Sequence, residues 1–192
     1  MIMKRVRAVV LAMGVAIPPG ACVAGAGLAP PVRAHVTNAT VCIALLQMAA
    51  HGTNQAANCK TATAFCRRAA AAGADLAVMP EMWNIGYTGF YTQDDTVRTQ
   101  WQAHAIARDG AFVNHFRSLA RELDMAIAVT YLEEWPGAPR NAVTLIDRHG
   151  SDMFTYAKMH TCDFAAFEAA TTPGEDVCVA PLDTRAGPVW VG

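Results

Sequence analysis

Charge is scarce in this chain. Lys, Arg, Asp and Glu make up 16% of its 192 residues, against roughly 25% in ordinary soluble domains. The 15 basic and 16 acidic residues give a net charge of -1, so no excess of one sign argues for nucleic acid or an anionic membrane surface. Cysteine is also sparse. Six scattered cysteines do not make a small disulfide-built domain, and no CxxC-type pair suggests a zinc site. The sequence has no glycine-rich phosphate loop, no GxSxG nucleophile elbow and no internal repeat. Its 53% hydrophobic content excludes disorder as the overall state. The length suits one domain with its own core.

The charge is unevenly placed. Residues 1–40 contain Lys4, Arg5, Arg7 and Arg33 and no acid, leaving 11 basic and 16 acidic residues in 41–192. The first carboxylate is Asp75. The opening basic stretch precedes an apolar run from Ala8 to Ile17, which Pro18 and Pro19 break. That outline fits a secretory signal, with Ala24-Gly25-Ala26 as its cleavage site, or an unstructured leader. A run of about ten residues is too short to span a bilayer as a helix. Residues 1–40 are therefore expected to be a leader, signal-like or disordered. The protein is expected to be cytoplasmic, or exported if residues 1–26 act as a signal.

From Val41 the texture changes. The run at 41–48 reads as a buried strand. Residues 54–72 lack Gly and Pro and repeat Ala62, Phe65, Ala69 and Ala72 at helical spacing, with Gly73 as a stop. A second apolar strand, 75–80, ends at Pro80. Strand, helix and strand in close succession predict a βαβ unit. Residues 82–95 read as an aromatic-rich loop, 111–123 as a helix and 125–132 as a strand. A turn region at 133–140 and two strands about His149-Gly150 follow. Residues 159–176 read as a polar loop, and 177–183 and 188–191 as further strands.

Three ionisable residues stand at strand edges. Glu81 follows AVMP, Lys158 ends MFTYAK, and Glu168 lies in the loop beyond. Ligands of open α/β sheets gather at the carboxyl ends of strands. A partly desolvated carboxylate there becomes a useful base, and a lysine can stabilise an oxyanion. Each is equally readable as a solvated charge in a turn. Trp83 and Tyr87 flank Glu81, either as the aromatic walls of a pocket mouth or as packing under the loop. Asn141 is expected to satisfy backbone groups at the hairpin. His160, Cys162 and Asp163 are potential metal ligands, but their spacing fits no common zinc pattern. No metal or cofactor is expected.

Together these segments carry a resemblance. AVMPEMWNIGYTGF (77–90) resembles the first-glutamate motif of the nitrilase, or carbon–nitrogen hydrolase, superfamily. YAKMHTCDFAAFEAATTPGED (156–176) resembles its lysine motif, and 131–150 the hairpin between them. The resemblance covers residues 41–192. It implies an α/β fold, part of an α-β-β-α sandwich with a mixed sheet, lacking its C-terminal portion. It also implies a Glu-Lys-Cys triad acting on non-peptide C–N bonds of a small amide, carbamoyl compound or nitrile. Glu81 takes the role of general base, Lys158 stands beside the tetrahedral intermediate, and Glu168 orients the lysine. The implied partners are a small-molecule substrate, no nucleic acid, and a homo-oligomer at full length.

One element of that pattern is missing. The family's nucleophilic cysteine should follow PVWVG (188–192) by a few residues. Cys178 reads as a core residue, Cys162 has no nucleophilic role in the pattern, and Cys42, Cys59 and Cys66 fall on the first strand and helix. The expectation is an N-terminal part of a hydrolase, inactive alone. The alternative is a non-catalytic remnant serving as an interaction module.

Overall fold

A computed structural model describes residues 5–12, 40–162 and 166–192 of the chain. Its elements run β1 (Arg5–Ala12), β2 (Thr40–Gln47), α1 (Gln55–Ala71), β3 (Leu76–Val78), α2 (Asp95–Gln102), α3 (Ala111–Leu123), β4 (Ala126–Glu133), β5 (Arg140–Ile146), β6 (Asp152–Ala157), α4 (Ala166–Ala169), β7 (Ala180–Leu182) and β8 (Val189–Val191). A single 3-10 turn, Trp83–Ile85, follows β3. Strands β1 to β6 form one sheet in sequence order, and β7 and β8 form a separate two-stranded sheet. Strands β1 to β4 are mutually parallel, while β5 and β6 are antiparallel. This is a mixed α/β sheet.

Each helix forms for a local reason. The Asn54 side chain caps α1 by accepting from the Ala57 amide. The helix buries Asn58, Ala62, Phe65, Cys66 and Ala69, one face at spacings of three and four. Gly73 then turns the chain at φ +80. Helix α3 buries Phe112, Val113, Phe116, Leu119 and Ala120. These two helices cover one sheet face, packing against Ala44, Leu46, Ile127, Val129 and Tyr131. The opposite face, with Leu76, Ala126, Ala128 and Leu145, meets Leu182, Val189 and Val191 of the small sheet. The layer order is therefore α, β, β. An apolar groove of about 550 Å³ lies on that second face, lined in part by Val78, Phe154, Val177 and Cys178.

Several expectations need correction. Within the segment expected to be a leader, a reading the strand itself does not test, Arg5–Ala12 pairs with β2 in unbroken register from Arg5↔Thr40 to Ala12↔Gln47. The rest of the segment up to Thr40 lies outside the described residues. Helix α2 falls where no element was read. Apart from Val97 and Trp101 its sequence is polar, and Asp94 starts it by accepting from the Thr96 and Val97 amides. The polar loop at 159–176 contains the short α4. The strand read at 177–183 shrinks to Ala180–Leu182, with Val177 and Val179 exposed before it. Cys178 accordingly stands outside the strand, half-buried beside the groove.

One buried carboxylate ties the chain's later part to the sheet. Asp75 accepts from the Cys42 amide at 2.8 Å and from Arg185 Nε at 3.0 Å. The Arg185 guanidinium also donates to the carbonyls of Gly73 and Ala74. Removing the carboxylate takes one acceptor from the Cys42 amide and one from the Arg185 Nε. Asp75→Ala is expected to lower unfolding free energy by about 1–3 kcal/mol, read as a reduced urea midpoint at unchanged slope.

Candidate active site

The site lies at the carboxyl end of β3. The chain leaves that strand through Met79 and Pro80 and bends across β4. The Thr130 hydroxyl of β4 fixes this bend, donating to the Pro80 carbonyl and accepting from the Trp83 amide. Two non-glycine residues take left-handed backbone angles here, Met82 at φ 45 and Tyr87 at φ 54. Such conformations cost about 1–3 kcal/mol each and persist only where surroundings enforce them. Met82 is fully buried against Ile85, Phe90, Trp101, Leu132 and Phe167, which supply that enforcement. Glu81 sits between the bend and the cluster.

Lys158 follows β6 directly. Its amide donates to the Asn141 carbonyl of β5 at 2.8 Å, and its carbonyl accepts from Gly174 at 2.9 Å. A Cβ on Gly174 would stand 2.2 Å from the Ala157 carbonyl oxygen, so Pro173-Gly174 closes the loop where only glycine fits. Within the loop, α4 presents Glu168. Thr172 anchors the loop's far end, its amide donating to the Pro139 carbonyl and its hydroxyl to that of Ala138.

The three predicted ionisable residues meet. Lys158 Nζ donates to Glu81 Oε1 at 2.9 Å and to Glu168 Oε1 at 3.0 Å. Glu168, whose side chain is only 1% exposed, also accepts from the Tyr87 hydroxyl at 2.6 Å and the Cys162 amide at 2.7 Å. Burial alone would lower the Lys158 pKa; its hydrogen bonds to Glu81 and Glu168 outweigh that and hold the ammonium above lysine's ordinary value. Burial likewise pushes Glu168 upward, but the bonds from Tyr87, the Cys162 amide and Lys158 bring it below the usual carboxylate range. The bond to Glu168 raises the Tyr87 phenol, which therefore stays a donor at neutral pH. Two carboxylates and one ammonium leave a net negative site, suited to taking a proton at Glu81 while keeping a cation beside a developing oxyanion.

Trp83 is not a pocket wall. It is 1% exposed, packs in the main core and donates from its indole to the Asn58 carbonyl at 2.9 Å. The 3-10 turn rotates it inward, away from the opening. Tyr87 does reach the site, half-exposed and set edge-on to Phe167 with ring centroids 5.5 Å apart. Asn141, expected to satisfy backbone groups at the hairpin, instead donates from Nδ2 to Glu81 Oε1 at 2.6 Å. The usable signal was its position on the strand next to the one that Lys158 ends. No described thiol hydrogen-bonds Glu81: Cys66 is buried with its pKa pushed up to about 12, and Cys178 donates weakly to the Thr155 carbonyl. Asp163 lies outside the described residues. Among the described residues no group of three or more His, Cys, Asp or Glu side chains is placed to hold a metal ion.

The carbon–nitrogen hydrolase family pattern matches residues 42–190. The chain belongs to that family, and to the nitrilase superfamily. It is 30% identical over 118 residues to a bromoxynil-specific nitrilase of Klebsiella pneumoniae subsp. ozaenae, a match covering 59% of this chain and 34% of that protein. It is 28% identical over 111 residues to the N-carbamoylputrescine amidase of Oryza sativa subsp. japonica, covering 58% of this chain and 36% of the relative. Among solved structures it resembles a variant of the amidase from Nesterenkonia sp. AN1 that carries acrylamide, by Michael addition, at its active-site cysteine. The TM-score is 0.62 at 25% identity, covering 74% of this chain and 54% of that one. The match thus spans about a third of the curated relatives' length.

The Glu168 cluster makes a stability prediction. A carboxylate whose folded pKa lies below its unfolded value stabilises fully above the unfolded pKa, about 4.3 for glutamate, and loses that contribution as pH falls through the folded value. Glu168→Gln is expected to cost about 1–3 kcal/mol at pH 7 by mismatching the Tyr87 and Lys158 donors. Urea unfolding should show the gap to wild type closing as pH drops below about 4. A gap that widens there would contradict the assigned direction.

Proposed function

We propose that these residues form part of a hydrolase acting on the C–N bond of a small amide, carbamoyl compound or nitrile. The observation that carries this reading is the convergence of Glu81, Lys158 and Glu168 in a chain of the carbon–nitrogen hydrolase family. Glu81 is the general base and Glu168 orients the lysine. The nucleophile is a cysteine thiol other than those described here, since none of them hydrogen-bonds Glu81.

For an amide the steps balance as follows. Glu81 takes the thiol proton, and a C–S bond forms as the carbonyl becomes an oxyanion beside Lys158. The oxyanion collapses, the C–N bond breaks, and the amine leaves with the proton from Glu81. Water then loses a proton to the same carboxylate and attacks the thioester, expelling the thiolate. Lys158 cannot be the base in this sequence, because its bonds to two carboxylates keep it protonated.

Two predictions test the reading. The 192-residue chain alone should hydrolyse no amide, carbamoyl compound or nitrile above background; turnover abolished by Cys162→Ala would overturn this. In the enzyme with its nucleophilic cysteine in place, Glu81→Gln should reduce kcat by roughly 10²–10⁴-fold and slow iodoacetamide alkylation of that cysteine. Lys158→Met should impair turnover more than alkylation, since its task is the oxyanion. Near wild-type turnover by Glu81→Gln would defeat the mechanism.

A further inference from the structure

Asn141 and Lys158 make the same choice of oxygen. Asn141 Nδ2 donates to Oε1 of Glu81 at 2.6 Å, and Lys158 Nζ to that same Oε1 at 2.9 Å. A carboxylate oxygen offers two lone pairs, so these donors occupy Oε1. Among the described residues no donor reaches Oε2. Asn141 is itself buried, at 7% exposure, on a strand whose register sets it opposite Leu132. Its backbone carbonyl accepts from the Lys158 amide at 2.8 Å. One residue therefore holds the base by its side chain and the lysine by its main chain.

We propose that Asn141 is a positioning residue that saturates Oε1 of Glu81, leaving Oε2 as the oxygen that exchanges protons with the nucleophile, leaving group and water. This rests on the reading of Glu81 as general base. An amide suits the task because it is a neutral donor. It fixes the carboxylate plane without adding a second cation, which would weaken the base. The titratable groups facing Glu81 are Lys158 after β6, Glu168 of α4 and Tyr87 of the loop after β3. Lys158 alone cannot define the plane, since its ammonium is shared with Glu168 and its donors rotate.

The test has two arms. In the 192-residue chain, ¹³C-carboxylate NMR follows the Glu81 titration, with Glu81→Gln assigning the resonance. Asn141→Ala removes a donor to the ionised form, so the Glu81 midpoint should rise by on the order of one pH unit. Asn141→Asp keeps the shape but adds a like charge when ionised, so the rise should be larger and the two carboxyls should titrate as a coupled pair. The Asp variant preserves the strand if Ala does not fold. In the enzyme with its nucleophilic cysteine, Asn141→Ala should lower kcat by about 10- to 100-fold, as expected for a misplaced catalytic group. KM should stay within about two-fold, because substrate contacts are untouched. The acid limb of the rate profile should move up in parallel with the NMR midpoint. An unmoved Glu81 titration, with kcat preserved, would reduce Asn141 to a strand residue and overturn the proposal. That result is distinct from failure of the functional reading, which is reported by an active Glu81→Gln enzyme.

Discussion

The ammonium of Lys158, lying between the carboxylates of Glu81 and Glu168, is the contact the site depends on. Two carboxylates this close repel when both are ionised, and one would otherwise keep its proton. The lysine removes that conflict, and it does so across the sheet. Strands β3 and β6 are three places apart, about 14 Å at ordinary strand spacing. Side chains span that interval only if the segments leaving the strands lean inward. The bend after β3 does so over β4, held by Thr130, and the loop after β6 returns through Gly174. All four neighbouring strands thus take part: β3 leads to Glu81, β4 supplies Thr130, β5 supplies Asn141, and β6 leads to Lys158.

The placement also explains the neutral donors. Glu168 is buried, and a buried carboxylate with one cation still has acceptor capacity to satisfy. The Tyr87 hydroxyl and the Cys162 amide meet it without adding charge. Asn141 does the same for Glu81. A further lysine or arginine in any of these positions would cancel the net negative charge that the two carboxylates leave beside the single ammonium. Under the proposed reading, polar neutrality around a single ammonium is what lets Glu81 act as a base while Lys158 remains a cation.

Much of this was legible in the sequence, for reasons that differ by element. Helices α1 and α3 announced themselves because their apolar residues fall on one face, and parallel strands because burial on both faces makes them continuous apolar runs. Helix α2 was illegible because little but Trp101 and Val97 enters the core and its start is a side-chain cap. Strand β1 resembled a leader because an apolar run flanked by arginines has the same composition in either setting. Glu81, Lys158 and Glu168 were singled out by strand-edge position and motif, and the structure brings their side chains together. Trp83 stayed ambiguous between pocket wall and packing because a loop aromatic beside a site can face either way, and the inward choice is made by a left-handed residue at Met82. Asn141 was missed because its partner is 60 residues away and the pairing depends on sheet order.

The division between packing and chemistry follows from the same topology. One face of the large sheet packs against α1 and α3, and the other meets the small sheet beside an apolar groove, so both faces are lined by apolar side chains rather than by charged ones. The strand ends are the remaining place where charged groups can be partly dry yet reachable. The charges are held there by short strand-end segments with main-chain anchors, which tolerate little change of length. The surrounding surface is made by loops and by α2 and α4, which tolerate much more. Relatives named for a nitrile, a carbamoyl compound and an amide fit that arrangement: under the proposed reading the proton and oxyanion chemistry stays with the strand ends, and discrimination among C–N substrates falls to the segments around them.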